Sequence, residues 1–350
     1  MAISMSNESK RIAFRAPING YTGYGLHSCQ IISDLSAAGY ELEVLPTDVN
    51  ESFVPIPANV TKYFTTVESQ SKWELLLHPP TFTPAKGKKT VYFTMWESSL
   101  LPRGCSHLLN RAECVIVPSQ WNVDCLLASG VERPIHKIPL GITTEAFRHS
   151  PMNMDGPCVF GTAGRTQGGG MRKGISRVME VFLKAFPHER DVRLFVKVFP
   201  DCAVPDVNDP RIHITRAYFS ESEISDWLGS LTCFVSLSRG EGWGLLQHQA
   251  LAKGRPLVSI QFGGVAEFFN DEVGYPLRFD LEPAGEHYTG CGDCALPNEG
   301  DCVDAMREIY KDRYEASRRG LRGSALVSNL SWKRSNAALL RILQSVEMVK

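Results

Sequence analysis

Residues 231–269, LTCFVSLSRGEGWGLLQHQALAKGRPLVSIQFGGVAEFF, contain the pattern that decides the fold of this 350-residue chain. An apolar run at 231–237 has no helical period and predicts a buried strand. A glycine turn at 240–244 follows, and the next segment is rich in helix formers and ends at Gly254, a residue typical of helix C-termini. A further strand is predicted at 256–261. This order of strand, turn, helix and strand predicts an α/β protein.

The glycine turn joins the end of a predicted strand to the start of a predicted helix. Such a turn leaves backbone N–H groups free at the carboxyl end of a sheet, where open α/β sheets bind ligands and where helix N-termini favour anions. Glu241 lies in the turn and Gln249 lies in the helix, so both side chains can reach the hydroxyls of one ligand. The glycines alone leave a second interpretation open, an ordinary βαβ turn in which they only let the chain reverse.

The whole stretch resembles the donor-site signature of glycosyltransferase family 4, in which two Glu residues separated by seven positions surround G-[FWY]-G. The matching positions are Glu241, Gly242, Trp243 and Gly244, then 250–257 and the Gly-Gly loop at 263–267. The sequence departs from the signature at Gln249, where the family has its second Glu. An amide still binds hydroxyls, so we expect the ribose contact to survive without a charge-assisted hydrogen bond worth on the order of 1 kcal/mol.

The resemblance covers about residues 11–345 in family order. It implies an α/β protein of the GT-B fold, with two Rossmann-like domains facing a cleft and a C-terminal helix that crosses back to the first domain. We therefore expect an acceptor-side domain at 1–150 joined by a helix at 331–350, and a nucleotide-sugar donor domain at 151–330. Composition agrees, because residues 150–157 contain two prolines and a glycine.

A second ligand-type loop is predicted after the strand at 158–163. It carries three basic residues, Arg165, Arg172 and Lys173, on a glycine-rich segment that leads into a helix N-terminus, which suits a diphosphate. A solvated loop with chance charges is the alternative. The resemblance implies that Arg165 and Lys173 neutralise the leaving nucleoside diphosphate.

The first domain opens with a comparable pattern, a strand at 11–17, a glycine-bearing loop at 18–25 and a helix from about residue 26. The glycine spacing is not GxGxxG, so a nicotinamide cofactor is not indicated. The resemblance implies that Gly23 and Gly25 lie against the donor diphosphate and the acceptor, and turn glycines that need positive φ are the alternative.

Residues 46–88 are rich in proline and predict loops with short elements that shape an acceptor pocket. The strand predicted at 90–95 ends in Trp96 and Glu97. A carboxylate at the carboxyl end of a strand is well placed to contact the acceptor or the donor sugar, so Glu97 is a candidate site residue. A structural role as the cap of the next helix is the alternative.

Composition restricts the classes of partner. The chain has 37 basic and 38 acidic residues, which disfavours binding to nucleic acid by bulk charge. The N-terminus lacks a signal peptide, no apolar run is long enough to span a membrane, and ten scattered cysteines suit a reduced environment. We expect a cytoplasmic protein, and peripheral contact with a membrane stays open.

No metal site is predicted. The segment with His287, Cys291, Cys294 and Cys302 matches no common zinc spacing, and no D-x-D follows a predicted strand.

The resemblance implies a metal-independent, retaining hexosyltransferase that uses a UDP- or GDP-sugar as substrate and needs no cofactor. Glu241 is expected to hold the sugar and Gln249 the ribose. The diphosphate is expected to bind Arg165, Lys173 and the N–H groups near Gly242, Trp243, Gly244 and Leu245. The acceptor is left open among glycans, lipids and small molecules, with protein and nucleic acid less favoured.

Three other functions remain compatible with the sequence. A GT-B nucleotide-sugar epimerase shares the fold, a phosphorylase would need a phosphate site that no motif provides, and a non-catalytic protein could bind nucleotide sugars without transfer.

Overall fold

The computed structural model describes residues 10–48, 58–65, 69–166 and 170–348. The chain divides into two compact units: the first comprises Met1–Trp96, Leu100–Gly141 and Leu330–Lys350, and the second comprises Glu97–Ser99 and Ile142–Asn329. The division at 141/142 lies earlier in the chain than the domain boundary expected at 150.

The described elements alternate between strands and helices along most of the chain. The strands are β1 (Arg11–Ala16), β2 (Glu41–Pro46), β3 (Trp73–Leu77), β4 (Lys89–Phe93), β5 (Cys114–Val117), β6 (Ile135–Lys137), β7 (Cys158–Gly164), β8 (Val192–Val198), β9 (Ile212–Arg216), β10 (Cys233–Val235), β11 (Leu257–Ile260), β12 (Gly274–Leu277), β13 (Phe279–Pro283) and β14 (Asp293–Pro297). The α-helices are α1 (Gly23–Ala37), α2 (Ala58–Thr61), α3 (Cys105–Leu109), α4 (Gln120–Ala128), α5 (Gly170–Lys173), α6 (Ile175–Ala185), α7 (Glu221–Gly229), α8 (Leu245–Ala252), α9 (Glu299–Lys311), α10 (Arg313–Val327) and α11 (Trp332–Met348).

The first unit contains a six-stranded parallel sheet with the order β2-β1-β3-β4-β5-β6. The prediction of loops with short elements at 46–88 did not foresee that one of these elements, β3, is an inner strand of this sheet and is buried along its whole length. Its apolar pattern is interrupted by Glu74, which is 1% exposed. The carboxylate of Glu74 is compensated inside the fold by Arg15 Nη2 at 2.9 Å and Thr90 Oγ1 at 2.8 Å.

Helix α1 begins earlier than the predicted residue 26, since Thr22 caps it by accepting a hydrogen bond from Gly25 N. A Cβ at Gly25 would lie 1.7 Å from the carbonyl oxygen of Asn19, so the glycine allows a close backbone approach. Helix α11 belongs to the same unit, where the rings of Trp332 and His27 stack with centroids 5.1 Å apart.

The second unit contains another six-stranded parallel sheet, with the order β12-β11-β10-β7-β8-β9. Chain order reverses at β7, which lies between β10 and β8, so the carboxyl end of β7 is a topological switch point. Helix α7 begins with a capping box, in which the side chains of Ser220 and Glu223 bond each other's backbone N–H groups.

Strands β13 and β14 form an antiparallel hairpin that the sequence analysis did not predict. Three of the five residues of β13, Asp280, Leu281 and Pro283, are exposed, so no buried apolar run marks the strand. The hairpin is fixed to the segment after β10 by Arg239, whose carbonyl accepts from Ala295 N at 2.9 Å and whose guanidinium donates to Glu282 at 2.9 Å. It also holds Ser99, whose hydroxyl accepts from Asp293 N at 2.8 Å.

All ten cysteines are free thiols. Among residues 10–48, 58–65, 69–166 and 170–348, no three His, Cys, Asp or Glu side chains are arranged to hold a metal ion. No helix within those described ranges is long and apolar enough to cross a membrane.

Candidate functional site

The glycine turn connects the carboxyl end of β10 to the first residue of α8. Gly244 precedes the helix with a φ of 93°, a conformation that favours glycine. Gly240 is restricted for a different reason, since a Cβ there would lie 2.1 Å from the carbonyl oxygen of Glu97. The sequence therefore forms a tight turn at the carboxyl edge of the sheet, directly before the N-terminus of α8.

Glu241 and Lys173 meet at this edge. Lys173 Nζ donates to both carboxylate oxygens of Glu241, at 2.7 and 2.8 Å. The two side chains are 24% and 11% exposed, so this ion pair is largely removed from water. The structure thus brings together two of the residues that the sequence analysis selected.

A second cation, Arg172, joins the pair. Arg172 Nη1 donates to the carbonyl oxygen of Gly240 and lies 3.5 Å from Glu241 Oε2, while Nη2 lies 3.9 Å from Glu97 Oε1. The sequence analysis counted Arg172 among three basic residues that suit a diphosphate, but the resemblance assigned roles only to Arg165 and Lys173. Its position next to Lys173 in the sequence is the signal that identifies it.

The Glu97 carboxylate has a further contact from the hairpin. Tyr288 Oη donates to Glu97 Oε2 at 3.1 Å, and the Arg172 guanidinium lies 5.7 Å from the centroid of the Tyr288 ring. Nothing in the sequence pattern indicated Tyr288, since the hairpin that carries it was not predicted. Glu97, Arg172, Lys173, Glu241 and Tyr288 form one connected cluster, called here the carboxylate–cation cluster.

Within this cluster, electrostatics favour one protonation state of Glu241, of Arg172 and of Tyr288. Burial alone would raise the pKa of Glu241, but the charges of Lys173 and Arg172 and the hydrogen bonds it accepts outweigh burial and hold that pKa at about 2. Burial opposes the charge of Arg172, yet the nearby carboxylates raise its pKa further above its usual range. Burial and the Glu97 charge raise the pKa of Tyr288, which stays a neutral donor.

Arg165 lies elsewhere in the second unit. It follows β7 and pairs with Asp201 at 3.2 Å, and the two side chains are 42% and 37% exposed. Its guanidinium also lies 5.9 Å from the Phe199 ring centroid. The structure does not bring Arg165 into contact with Glu241; Arg172 occupies that place.

Trp243 is oriented into the core. It is 2% exposed, its indole N–H donates to His248 Nδ1 at 3.2 Å, and its ring packs on Phe268. Burial lowers the pKa of His248 to about 3, so the imidazole is neutral and accepts this bond. Only the backbone of Trp243 is therefore left for a ligand contact.

Gln249 lies in α8 and is 4% exposed. Among the described residues, no protein group forms a hydrogen bond with its side-chain amide, whereas the nearby Gln247 donates to Ser236 Oγ at 3.1 Å. A buried amide without a partner has donor and acceptor capacity available for a ligand. Leu245, the first residue of the helix, is half-buried.

Gly23 and Gly25 lie in the first turn of α1 in the first unit. The close approach of Gly25 to the backbone of Asn19 by itself explains why this position needs a glycine. A contact of Gly23 and Gly25 with a ligand therefore stays a prediction.

Comparison with known proteins supports the fold. No family model matches the sequence, and no curated protein is similar to it in sequence. Sucrose-phosphate synthase from Thermosynechococcus elongatus superposes with a TM-score of 0.71 at 14% identity, covering 97% of this chain and 100% of that chain. HepE from Anabaena, solved with UDP and glucose, superposes with a TM-score of 0.66 at 14% identity, covering 96% of this chain and 100% of that chain. A glycosyltransferase from Rickettsia africae superposes with a TM-score of 0.68 at 13% identity, covering 97% of this chain and 99% of that chain.

At these identities the similarity shows the fold alone. The GT-B fold that the sequence predicted is confirmed by the two parallel-sheet α/β units and by these superpositions. Membership of glycosyltransferase family 4 stays a prediction.

Proposed function

We propose that this protein is a retaining glycosyltransferase that moves a hexose-type sugar from a nucleoside-diphosphate sugar to an acceptor hydroxyl. The observation that carries the proposal is the buried Lys173–Glu241 pair beside Arg172, at the start of α8 and next to the switch point of a parallel sheet. Three similar structures support it: a sucrose-phosphate synthase, HepE with UDP and glucose, and a protein described as a glycosyltransferase.

The cations bind the diphosphate in this proposal. Without ligand, Lys173 and Arg172 are neutralised by Glu241 and Glu97. A diphosphate competes for both cations and accepts hydrogen bonds from the N–H groups at the start of α8, which also favours negative charge. These groups then stabilise the charge that develops as the nucleoside diphosphate leaves. Two fixed cations make a metal ion unnecessary for that task, so we propose a metal-independent reaction.

The carboxylates bind the sugar and the acceptor. Glu241 accepts hydrogen bonds from sugar hydroxyls, Gln249 bonds the ribose, and Glu97 orients the acceptor hydroxyl. The bond between the anomeric carbon and the diphosphate oxygen breaks, and the acceptor oxygen forms its bond on the same face. The acceptor proton passes to the departing phosphate oxygen, so no covalent enzyme intermediate is needed.

The substrate and location follow from the same reasoning. The donor is a UDP- or GDP-sugar, no cofactor takes part, and the acceptor class is left to experiment. The free cysteines suit a cytoplasmic location.

A donor panel tests the proposal. UDP-glucose, UDP-N-acetylglucosamine, GDP-mannose and ADP-glucose are added in turn, and thermal stability and nucleoside diphosphate release are measured. A ligand at 100 times its Kd adds about 2.7 kcal/mol to the free energy of unfolding and raises Tm. We expect at least one donor to raise Tm and to release its nucleoside diphosphate when a suitable acceptor is present. EDTA is expected to have no effect on either result. Lys173→Met removes the response, while Lys184→Met, at an exposed site on α6, keeps it.

Other results would identify the competing functions. Conversion of one UDP-sugar into its epimer without acceptor indicates an epimerase. Binding without release of nucleoside diphosphate under any acceptor indicates a non-catalytic binding protein. Absence of binding by all donors contradicts the proposal.

A further inference from the structure

A charged cavity lies at the amino edge of the sheet in the second unit. Its volume is about 580 Å³, and it is lined by the loop that joins α6 to β8, by the start of β8 and by the residues just before β9. The lining contains three arginines, Arg190, Arg193 and Arg211, but only two carboxylates, Glu189 and Asp209. The volume is in the range of small-molecule sites, and the excess of cations favours a polar anion as ligand.

Strand register places two of the arginines side by side. Leu194 of β8 is in register with Ile212 of β9, and Leu194 N donates to the carbonyl oxygen of Arg211 at 2.9 Å. Arg193 and Arg211 directly precede the two residues in register. The seven residues of β8 span about 20 Å, and the carboxylate–cation cluster lies at the other, carboxyl edge of the sheet. The cavity is therefore separate from that cluster.

One arginine and both carboxylates of the lining already have partners within the protein. Arg211 donates from Nε and Nη2 to the two carboxylate oxygens of Asp209, at 3.0 and 2.7 Å, and from Nη1 to the carbonyl oxygens of Phe186 and Glu189. The hydrogen bonds from Arg211 hold the pKa of Asp209 below its usual range. The Glu189 carboxylate accepts from the backbone N–H of His188 at 3.1 Å.

The other two arginines keep their charge without a counterion. Arg193 Nη1 donates to the carbonyl oxygens of Arg190 and Val192, at 2.7 and 2.8 Å, which fixes the guanidinium but does not neutralise it. In the part of the chain that the structure describes, Arg193 forms no ion pair, and the exposed side chain of Arg190 forms neither an ion pair nor a hydrogen bond. The Nε and Nη2 donors of Arg193 lie on one side of a planar fork that matches two oxygen atoms of a phosphate group.

We propose that this cavity binds a phosphate group carried by a small polar molecule, with Arg190 and Arg193 as the residues that recognise it. A phosphate monoester carries roughly two negative charges near neutral pH, which two guanidinium groups without counterions balance. The volume leaves room for the rest of a molecule the size of a sugar phosphate. The inference does not rest on the proposed function, because it uses no residue of the carboxylate–cation cluster.

Isothermal titration with glucose 6-phosphate, inorganic phosphate and glucose tests the inference, in a phosphate-free buffer of low ionic strength. We expect both phosphate-bearing probes to bind and glucose not to bind. Tighter binding of glucose 6-phosphate would identify an ester as the ligand, and tighter binding of inorganic phosphate would identify the free ion. Both results support the site.

Substitution of the arginines identifies where the probes bind. Arg190→Met removes one charge without breaking a hydrogen bond or ion pair, so we expect the variant to fold and to bind both probes at least about 10-fold more weakly, the scale of one charge-assisted contact. Arg193→Met is expected to have at least the same effect. Arg318→Met, at a side chain on α10 that is 72% exposed, is the matched control and keeps the wild-type affinity.

Lys173 is a second cation that can attract a phosphate, so Lys173→Met completes the test. We expect this variant to bind glucose 6-phosphate as the wild type does. Loss of binding in Lys173→Met but not in Arg190→Met would overturn the inference, as would glucose binding equally well or neither phosphate-bearing probe binding. A donor panel without any response contradicts the proposed function and leaves this inference in place.

Discussion

Two ion pairs of the second unit show how burial separates residues that look equivalent in the sequence. Arg165 and Lys173 flank the same glycine-rich segment and were expected to share one task. Lys173 pairs with Glu241 where the side chains are 24% and 11% exposed, whereas Arg165 pairs with Asp201 where they are 42% and 37% exposed. A partly buried pair depends on both partners, while an exposed pair contributes little. The comparison indicates that Lys173 and Arg172, rather than Arg165, neutralise the Glu241 carboxylate when no ligand is bound.

Removal of one partner from each ion pair is expected to give the largest difference in stability between the two pairs. Lys173→Met leaves the Glu241 carboxylate buried beside a single cation, and we expect a loss of about 3 kcal/mol or more in the free energy of unfolding. Arg165→Met is expected to cost less than about 1 kcal/mol. Urea unfolding measures both variants. Equal losses would show that burial does not distinguish the pairs.

Acidification sharpens the same comparison. The pKa of Glu241 is held at about 2, below the value near 4.3 of an unfolded Glu, so its stabilising contribution is complete above the unfolded pKa. That contribution is lost as the pH falls through the folded pKa. The stability difference between wild type and Glu241→Gln should therefore be constant at neutral pH and shrink between about pH 4.5 and 2. A difference that already disappears between pH 7 and 5 would contradict the ionised pair.

Tyr288 and Tyr310 provide a matched comparison of two phenols that each bond a carboxylate. Tyr288 contacts Glu97 inside the carboxylate–cation cluster, and Tyr310 contacts Asp191 at 2.7 Å on the exterior. Tyr288→Phe removes a donor from a half-buried carboxylate, and we expect donor turnover to fall about 10-fold, the scale of one hydrogen bond to a charged group. Tyr310→Phe should leave turnover unchanged. A similar loss in both variants would indicate a general effect on folding.

The smallest expected effect concerns Gln249. Gln249→Glu restores the carboxylate of the family signature and should strengthen donor binding by on the order of 1 kcal/mol, about fivefold in Kd. Gln247→Glu is the control, because that amide already bonds Ser236. Titration with the donor that raises Tm most gives the Kd of each variant. Unchanged affinity in Gln249→Glu would show that this side chain does not contact the ribose.

Much of the fold could be predicted because its strands are short, apolar and bounded by glycine or proline. The run that became β10, the cap of α4 at Ser119 and the capping box of α7 all follow local rules. Strand β3 could not be recognised, since a buried Glu74 interrupts its pattern and its partner Arg15 is distant in sequence. The hairpin was missed because β13 has only five residues, most of them exposed, so no buried apolar run marks it.

The candidate site was predictable only in part, because local sequence rules do not reveal contacts between residues that are distant in the sequence. Glu241 and Lys173 belong to segments with a recognisable pattern, and the structure brings them together. The contacts of Arg172 and Tyr288 depend on tertiary packing between segments that are far apart in the chain.

The most direct test of the central claim is a titration of wild type, Lys173→Met and Lys184→Met with the nucleoside diphosphate that stabilises the protein most. The account predicts that Lys173→Met binds at least about 10-fold more weakly than wild type, the scale of one charge-assisted contact, while Lys184→Met binds as wild type does. Equal affinity of wild type and Lys173→Met would contradict the claim that this lysine exchanges Glu241 for a diphosphate.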